Sequence, residues 1–261
     1  QGVKTTLLSR EGSKTLAEDS RTFYGTTSDF KINTYPTIEL PGVSFLTSFL
    51  YIFNILQSPK EETIFYGRDL PSLLLCALLK RNFIYESHGI PHKKVLILME
   101  KLILKSRYLK GIVFISQCLK DLYPVSDRDT SNIVLHDSAD PPINLGDKMP
   151  LKGSFKFNAV YVGALYAGRG VELIYKLAKR LPNFAFHLFG GGQEEVLSAQ
   201  QNIKKLQLEN VFFYGYISPK ETYKCRNSSD VLLMPYQKSV MTINNASETS
   251  RYMSPLKLFE Y

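Results

Sequence analysis

"FNAVYVGALYAGRGVELIYKLAKRLPNFAFHLFGGGQEE", Phe157 to Glu195, decides the fold. It opens with a short β-favouring run, "FNAVYVG", that stops on Gly163. It closes with a second run, "NFAFHLFGGG", that stops on Gly190 to Gly192. Between the two, Val171, Ile174, Leu177, Ala178 and Leu181 recur at helical spacing. A strand, a helix and another strand in quick succession imply parallel strands joined by a helical crossover.

Downstream the alternation continues. "EEVLSAQQNIKKLQ" reads as a helix, "NVFFYG" as a strand and "DVLLMPY" as another. In "SPKETYKCRN", Ser218 and Glu221 stand three apart around Pro219, the pattern of a capping box. Upstream the rhythm is looser. "VKTTLL", "TIFYG", "FIYES", "GIVFIS" and "NIVLHD" read as strands. "SFLTSFLYIFNILQ" and "LPSLLLCALLKRN" read as helices, and "KKVLILMEKLILKSRYLK" as one long helix from Lys93 to Lys110. The Pro-, Asp- and Gly-rich stretch "HDSADPPINLGDKMPLKG" reads as a linker, with a boundary near Pro150. The expectation is two doubly wound α/β domains, 1–150 and 151–261. In such sheets ligands bind beyond the carboxyl ends of the strands.

Composition agrees. The chain has 261 residues, 44% apolar and 21% charged, with 16 Tyr and 16 Phe to bury, so long disorder is not expected. Three scattered cysteines without a CxxC pair argue against a disulfide framework or a zinc site and fit a reducing cytoplasm. The net charge of +8 suits nucleic acid, an anionic membrane or phosphorylated ligands, and by itself favours none of them.

Several residues stand where chemistry would occur. "GALYAGRG", Gly163 to Gly170, follows a strand and precedes a helix, but lacks the Lys-Ser/Thr pair of a phosphate-binding ATPase loop. Arg169 reads either as an anion ligand beside a helix start or as a solvated residue of an ordinary turn. Gly190 to Gly192 permit close backbone approach to a ligand, or simply a tight turn. His88, in "YESHGIPH", lies just past a strand end, as a reacting group or as a structural histidine. Pro91 breaks any helical pairing of His88 with His92 as metal ligands. Arg68 and Asp69 follow the strand before, where Asp69 can cap the next helix.

At the other end, "SPLKLFEY" places Ser254 as an N-cap and Pro255 at the first helical position. The amides of Leu256 and Lys257 then read as a phosphate cradle, with Glu260 one turn on to accept from vicinal hydroxyls, or the stretch is a surface helix with an ordinary Glu. On the long basic helix, Val95, Leu98, Met99, Leu102 and Leu109 form the expected buried stripe. Ile97, Leu104 and Tyr108 fall among Lys93, Lys94, Lys101 and Lys105. That mixture suits an anionic membrane surface or a neighbouring element.

Taken in order, these pieces resemble a family 4 glycosyltransferase of the GT-B fold. "YVGALYAGRGVELI", "HLFGGGQEE", "VFFYGYIS", "SSDVLLMPY" and "SPLKLFEY" carry the likeness in the second half, and "YESHGI" and "FISQCLKDLY" in the first. The resemblance implies two Rossmann-like domains facing a cleft, the first for acceptor and the second for a nucleotide-sugar donor. Transfer would retain anomeric configuration without a bound metal or other cofactor. Arg169 would neutralise the diphosphate, with Gly191 close by, and the main chain at Ile217 would hold the base. Ser254, Leu256 and Lys257 would cradle phosphate, and Glu260 would hold the ribose. His88 would sit by the donor sugar and the acceptor as the catalytic residue.

The implied partners are a nucleotide-sugar donor and a glycan or lipid-linked acceptor. Contact with an anionic membrane would run through Lys93 to Lys110, and no nucleic acid is expected. The setting would be the cytoplasm or the inner membrane face, in the synthesis of surface polysaccharide or glycolipid. Two positions depart from the family: Ala164 replaces an Arg of the basic pair, and Tyr252 replaces an acidic residue eight positions before Glu260. They keep open a degenerate binding or scaffold domain, beside a nucleotide-sugar epimerase of the same fold. The resemblance also implies that "QGVKTTLL" is a second strand, with the first strand and helix missing before it and the domain's end missing after Tyr261.

Overall fold

The computed structural model describes residues 3–10, 30–36, 44–123, 131–139, 146–241 and 248–261. Among them the chain forms two compact units. One runs to His136 and takes in Tyr252–Ser254, and the other runs from Asp137 to Arg251 and takes in Pro255–Tyr261.

In the first unit, β1 (Thr6–Arg10) pairs in parallel with β2 (Lys31–Tyr35). A 3-10 helix, Ser44–Tyr51, runs into α1 (Ile52–Gln57) where a single helix was expected. Then β3 (Phe65–Gly67), β4 (Phe83–Ser87), β5 (Leu109–Phe114) and β6 (Ser131–Val134) form a four-stranded parallel sheet in chain order. The intervening helices are α2 (Leu70–Leu78), α3 (Lys94–Leu104) and α4 (Gln117–Asp121). Ile112, Val113 and Phe114 are all buried, as expected of a parallel strand covered on both faces. Asp69 caps α2, its carboxylate accepting from the amide of Ser72 at 3.0 Å, so the capping reading of Asp69 holds. Buried Arg81 donates from Nε to the carbonyl of Ile55 at 2.9 Å, which places a cation at the carboxyl end of α1.

The basic helix differs from its sequence reading in two ways. It stops at Leu104, and Leu109 and Lys110 begin β5. Its buried side is also different. Leu96, Met99, Ile103 and Leu104 pack on the core, while Val95, Leu98 and Leu102 are 58%, 59% and 49% exposed. Glu100 sets this rotation. Its carboxylate is buried, where it accepts from the hydroxyls of Tyr85 at 2.7 Å and Tyr123 at 2.6 Å.

In the second unit the strands are β7 (Phe157–Val162), β8 (Phe184–Phe189), β9 (Val211–Gly215) and β10 (Val231–Leu232). The helices are α5 (Val171–Arg180), α6 (Gln193–Lys205), α7 (Thr222–Asn227) and α8 (Leu256–Glu260). All four strands are parallel, in the order β10-β7-β8-β9. The chain leaves β7 towards β8 and β9 and returns on the far side as β10. Strand order therefore reverses between β7 and β10, the switch point where such sheets open a crevice.

The division falls ahead of Pro150. Met149 and Leu151 pack with Val160, Val162, Phe189 and Cys225, and the amide of Met149 donates to Ser228 Oγ at 2.7 Å. The stretch read as a linker is thus partly built into the second unit. The capping box at Ser218 does not form: its hydroxyl donates to the Glu221 carboxylate at 3.2 Å and makes no backbone cap. Among the described residues no helix is long and apolar enough to cross a membrane.

Candidate active site

Glycines bring the second unit's strand ends together. Gly163 donates its amide to the carbonyl of Phe189 at 2.8 Å, and Gly190 donates to the carbonyl of Gly215 at 2.7 Å. Gly190 has φ +121°, and a Cβ there would overlap the carbonyl of Gly163. A Cβ on Gly163 would overlap the ammonium of Lys257 instead, so the lysine from α8 fills the space at the end of β7.

Lys257 is buried, its Nζ 5.3 Å from the ring centre of Tyr161 and 5.7 Å from that of Tyr236. Arg169 donates to the hydroxyl of Tyr236, and its Nε is buried without a hydrogen-bond partner among the described residues. Among the described residues neither cation pairs with a carboxylate. Burial, then the charge of Arg169, lower Lys257 to about 8, while Glu260 acts the other way. Two cations side by side at a switch point, with no acid partner among the described residues, concentrate positive charge that an anion would offset.

The remaining residues take different places. Glu260 is half-buried at the end of α8. Gly191 lines a cavity of about 440 Å³ with Val196, Leu197, Gln200 and Tyr216. Ile217 packs its side chain against Val160, Val162 and Phe189, which leaves its main chain just beyond β9. The helix at Leu256 has five residues, and Pro255 occupies the cap position, not Ser254. Ser254 groups with the first unit. A helix that short supplies little dipole, so positive charge at the site comes from the two side chains. Tyr252 lies in the first unit's core, with its carbonyl accepting from Ser116 Oγ at 2.6 Å.

In the first unit, His88 Nε2 lies 2.5 Å from Glu86 Oε1. Both side chains line a cavity of about 180 Å³ with Arg68, Leu70, Ile90 and Pro91. Ser87, between them, points to the opposite face, where its hydroxyl meets that of Tyr123 at 2.8 Å. Among the described residues no cluster of three or more His, Cys, Asp or Glu is placed to hold a metal ion. Sequence reading passed over Tyr161 and Tyr236, which flank the cations, and Glu86. The period of two in a strand puts Glu86 beside His88, and that signal was available in "YESHGI".

Residues 150–245 match the family of glycosyl transferases group 1. That match covers little more than a third of the chain, and the parallel-sheet architecture is similar to that of GT-B glycosyltransferases. The Anabaena protein Alr3699/HepE, solved with UDP and glucose, is similar at a TM-score of 0.54 and 19% identity, over 75% of this chain and 59% of that one. The present chain therefore spans less than two thirds of that relative. A glycosyltransferase from Rickettsia africae is similar at a TM-score of 0.59 and 13% identity, over 89% of this chain and 73% of that one. The lipopolysaccharide outer core galactosyltransferase WaaB is similar at 0.51 and 15%, over 89% and 74%. No curated protein matches by sequence.

Proposed function

We propose that this chain transfers a sugar, with retention of configuration, from a nucleotide-diphosphate donor to a glycan or lipid-linked acceptor. The observation that carries the reading is the pair Arg169 and Lys257, two cations without a carboxylate partner at the switch point of the second unit. Departure of a nucleoside diphosphate builds negative charge on phosphate, and fixed cations stabilise it. Lys257 lies against Gly163, next to Ala164, and in this reading takes the place of the Arg missing from the basic pair. In this reading the charge role falls to Arg169 and Lys257, without a metal or other cofactor. Glu260 holds the ribose, and the main chain at Gly191 and Ile217 flanks the base. His88 faces the sugar and the acceptor. The assignment within family 4 rests on the same motifs.

The solved relatives include one bound to UDP-glucose, so uridine diphosphate is the first nucleotide to test. Calorimetric titration with UDP, GDP and ADP should show one binder, weakened at least tenfold by Arg169→Ala. A folded protein that binds none of them, and transfers nothing from a panel of nucleotide sugars, would support a binding or scaffold domain instead.

The finer setting is a cytoplasmic enzyme resting on an anionic membrane, acting in the synthesis of surface polysaccharide or glycolipid. What supports it is α3. Its exposed Val95, Leu98 and Leu102 form an apolar strip, bordered by exposed Lys94, Lys101 and Lys105. That pattern seats a helix in the headgroup layer. The residues that would enter the membrane are these three, not Ile97, Leu104 and Tyr108.

A further inference from the structure

At the carboxyl end of β4, two residues on one face of the chain form a pair. Glu86 Oε1 lies 2.5 Å from Nε2 of His88. The nearby hydroxyl of Tyr66 and the charge of Arg68 act on the same carboxylate and favour its ionised form. Burial raises Glu86, but the nearby hydroxyl of Tyr66, the hydrogen bond from His88 and the charge of Arg68 outweigh it and hold the carboxyl below its ordinary value. An ionised carboxylate only accepts, so the proton between the two residues sits on Nε2. Nδ1 has no hydrogen-bond partner among the described residues.

We propose that Glu86 is the positioning residue of His88: it fixes the ring so that Nδ1 accepts a hydrogen bond from a substrate hydroxyl in the 180 Å³ cavity. The proposal rests on the reading of this chain as a sugar transferase. The logic is that of a ligand-bearing imidazole oriented through its far nitrogen. With the proton pinned on Nε2, a neutral ring presents a lone pair at Nδ1. A sugar hydroxyl is the complementary donor, whereas a phosphate oxygen is not. The opposite face of the strand supports the geometry. Tyr123 donates to Glu100 at 2.6 Å and meets Ser87 at 2.8 Å, which ties down the backbone between Glu86 and His88.

The test reads the ring directly. In nitrogen-15-labelled protein, the Nε2–H of His88, assigned by its loss in His88→Ala, should give a slowly exchanging signal. Glu86→Gln, whose amide oxygen still accepts, should keep it. Glu86→Ala should speed its exchange at least tenfold while backbone amide signals elsewhere stay in place. A ring proton that exchanges equally fast with and without Glu86 overturns the proposal. The same variants are then assayed for transfer. A loss of kcat in Glu86→Ala, restored in Glu86→Gln, is the expected result. Transfer that is indifferent to His88→Ala overturns the substrate contact. Failure of the transferase reading itself would leave the ring signal unchanged, so the two failures are told apart.

Discussion

Replacing Lys257 by Met should make the unliganded protein more stable and a diphosphate ligand weaker. Lys257 is buried, beside Arg169 and without a carboxylate partner among the described residues. Its free-energy penalty is the gap between 10.5 unfolded and about 8 folded. At about 1.36 kcal/mol per pH unit, that gap is about 3 kcal/mol. Contact of the ammonium with the rings of Tyr161 and Tyr236 returns about 0.5–1 kcal/mol each. Met keeps most of the apolar stem, so Lys257→Met should gain about 1–2 kcal/mol at pH 7.

The pH dependence follows in sign. The unfolded lysine holds its proton up to 10.5, and the folded one releases it near 8. Below 8 the penalty is full. Between 8 and 10.5 wild-type stability rises and the advantage of the variant fades. Urea unfolding at pH 7 and pH 10 measures both. For binding, a charge pair near 4 Å at an effective dielectric of about 20 is worth about 4 kcal/mol. Even with most of that lost to solvent, Lys257→Met should weaken UDP at least tenfold by calorimetry. A variant that is less stable at pH 7 and binds UDP as tightly as wild type would refute the reasoning.

His187 is fully buried, with Nδ1 2.9 Å from the hydroxyl of Tyr214 and Nε2 3.1 Å from Asn158 Oδ1, and burial lowers it to about 4. Its contribution is complete above the unfolded value of 6.5 and should be lost as pH falls to about 4, by about 3 kcal/mol, read by urea unfolding against His187→Phe. Gly190→Ala combines a φ of +121° with a clash against the carbonyl of Gly163, so thermal unfolding should show a loss of about 2 kcal/mol or more. Wild-type protein should float with anionic vesicles at low salt and be released by high salt; Leu98→Asp should stay unbound in both, while a wild type that never floats would sink the membrane reading.

The repeated strand-and-helix rhythm was legible in the sequence because its signals are local. Apolar spacing at Val171, Ile174 and Ala178 marks one face of α5, and the glycines at 163 and 190 mark where strands stop. Asp69 as a cap and Arg169 beside a helix start were legible for the same reason. The face that α3 buries was not. A helical wheel ranks Glu100 as a surface residue, and only the hydroxyls of Tyr85 and Tyr123, brought in from a strand and a loop, make its burial favourable. The partner of Arg169 was hidden too. Lys257 was legible as a phosphate-cradle residue, but its place beside Arg169 appears only when α8 lies against the end of β7. Tyr252, read as a lost acidic residue of the donor site, packs in the other unit's core. The sequence alone determined which segments become strands and helices, through periodicity and turn chemistry. The charge pairing at Gly163 and the rotation of α3 were decided only by tertiary structure, because each depends on groups that meet across long separations in the chain.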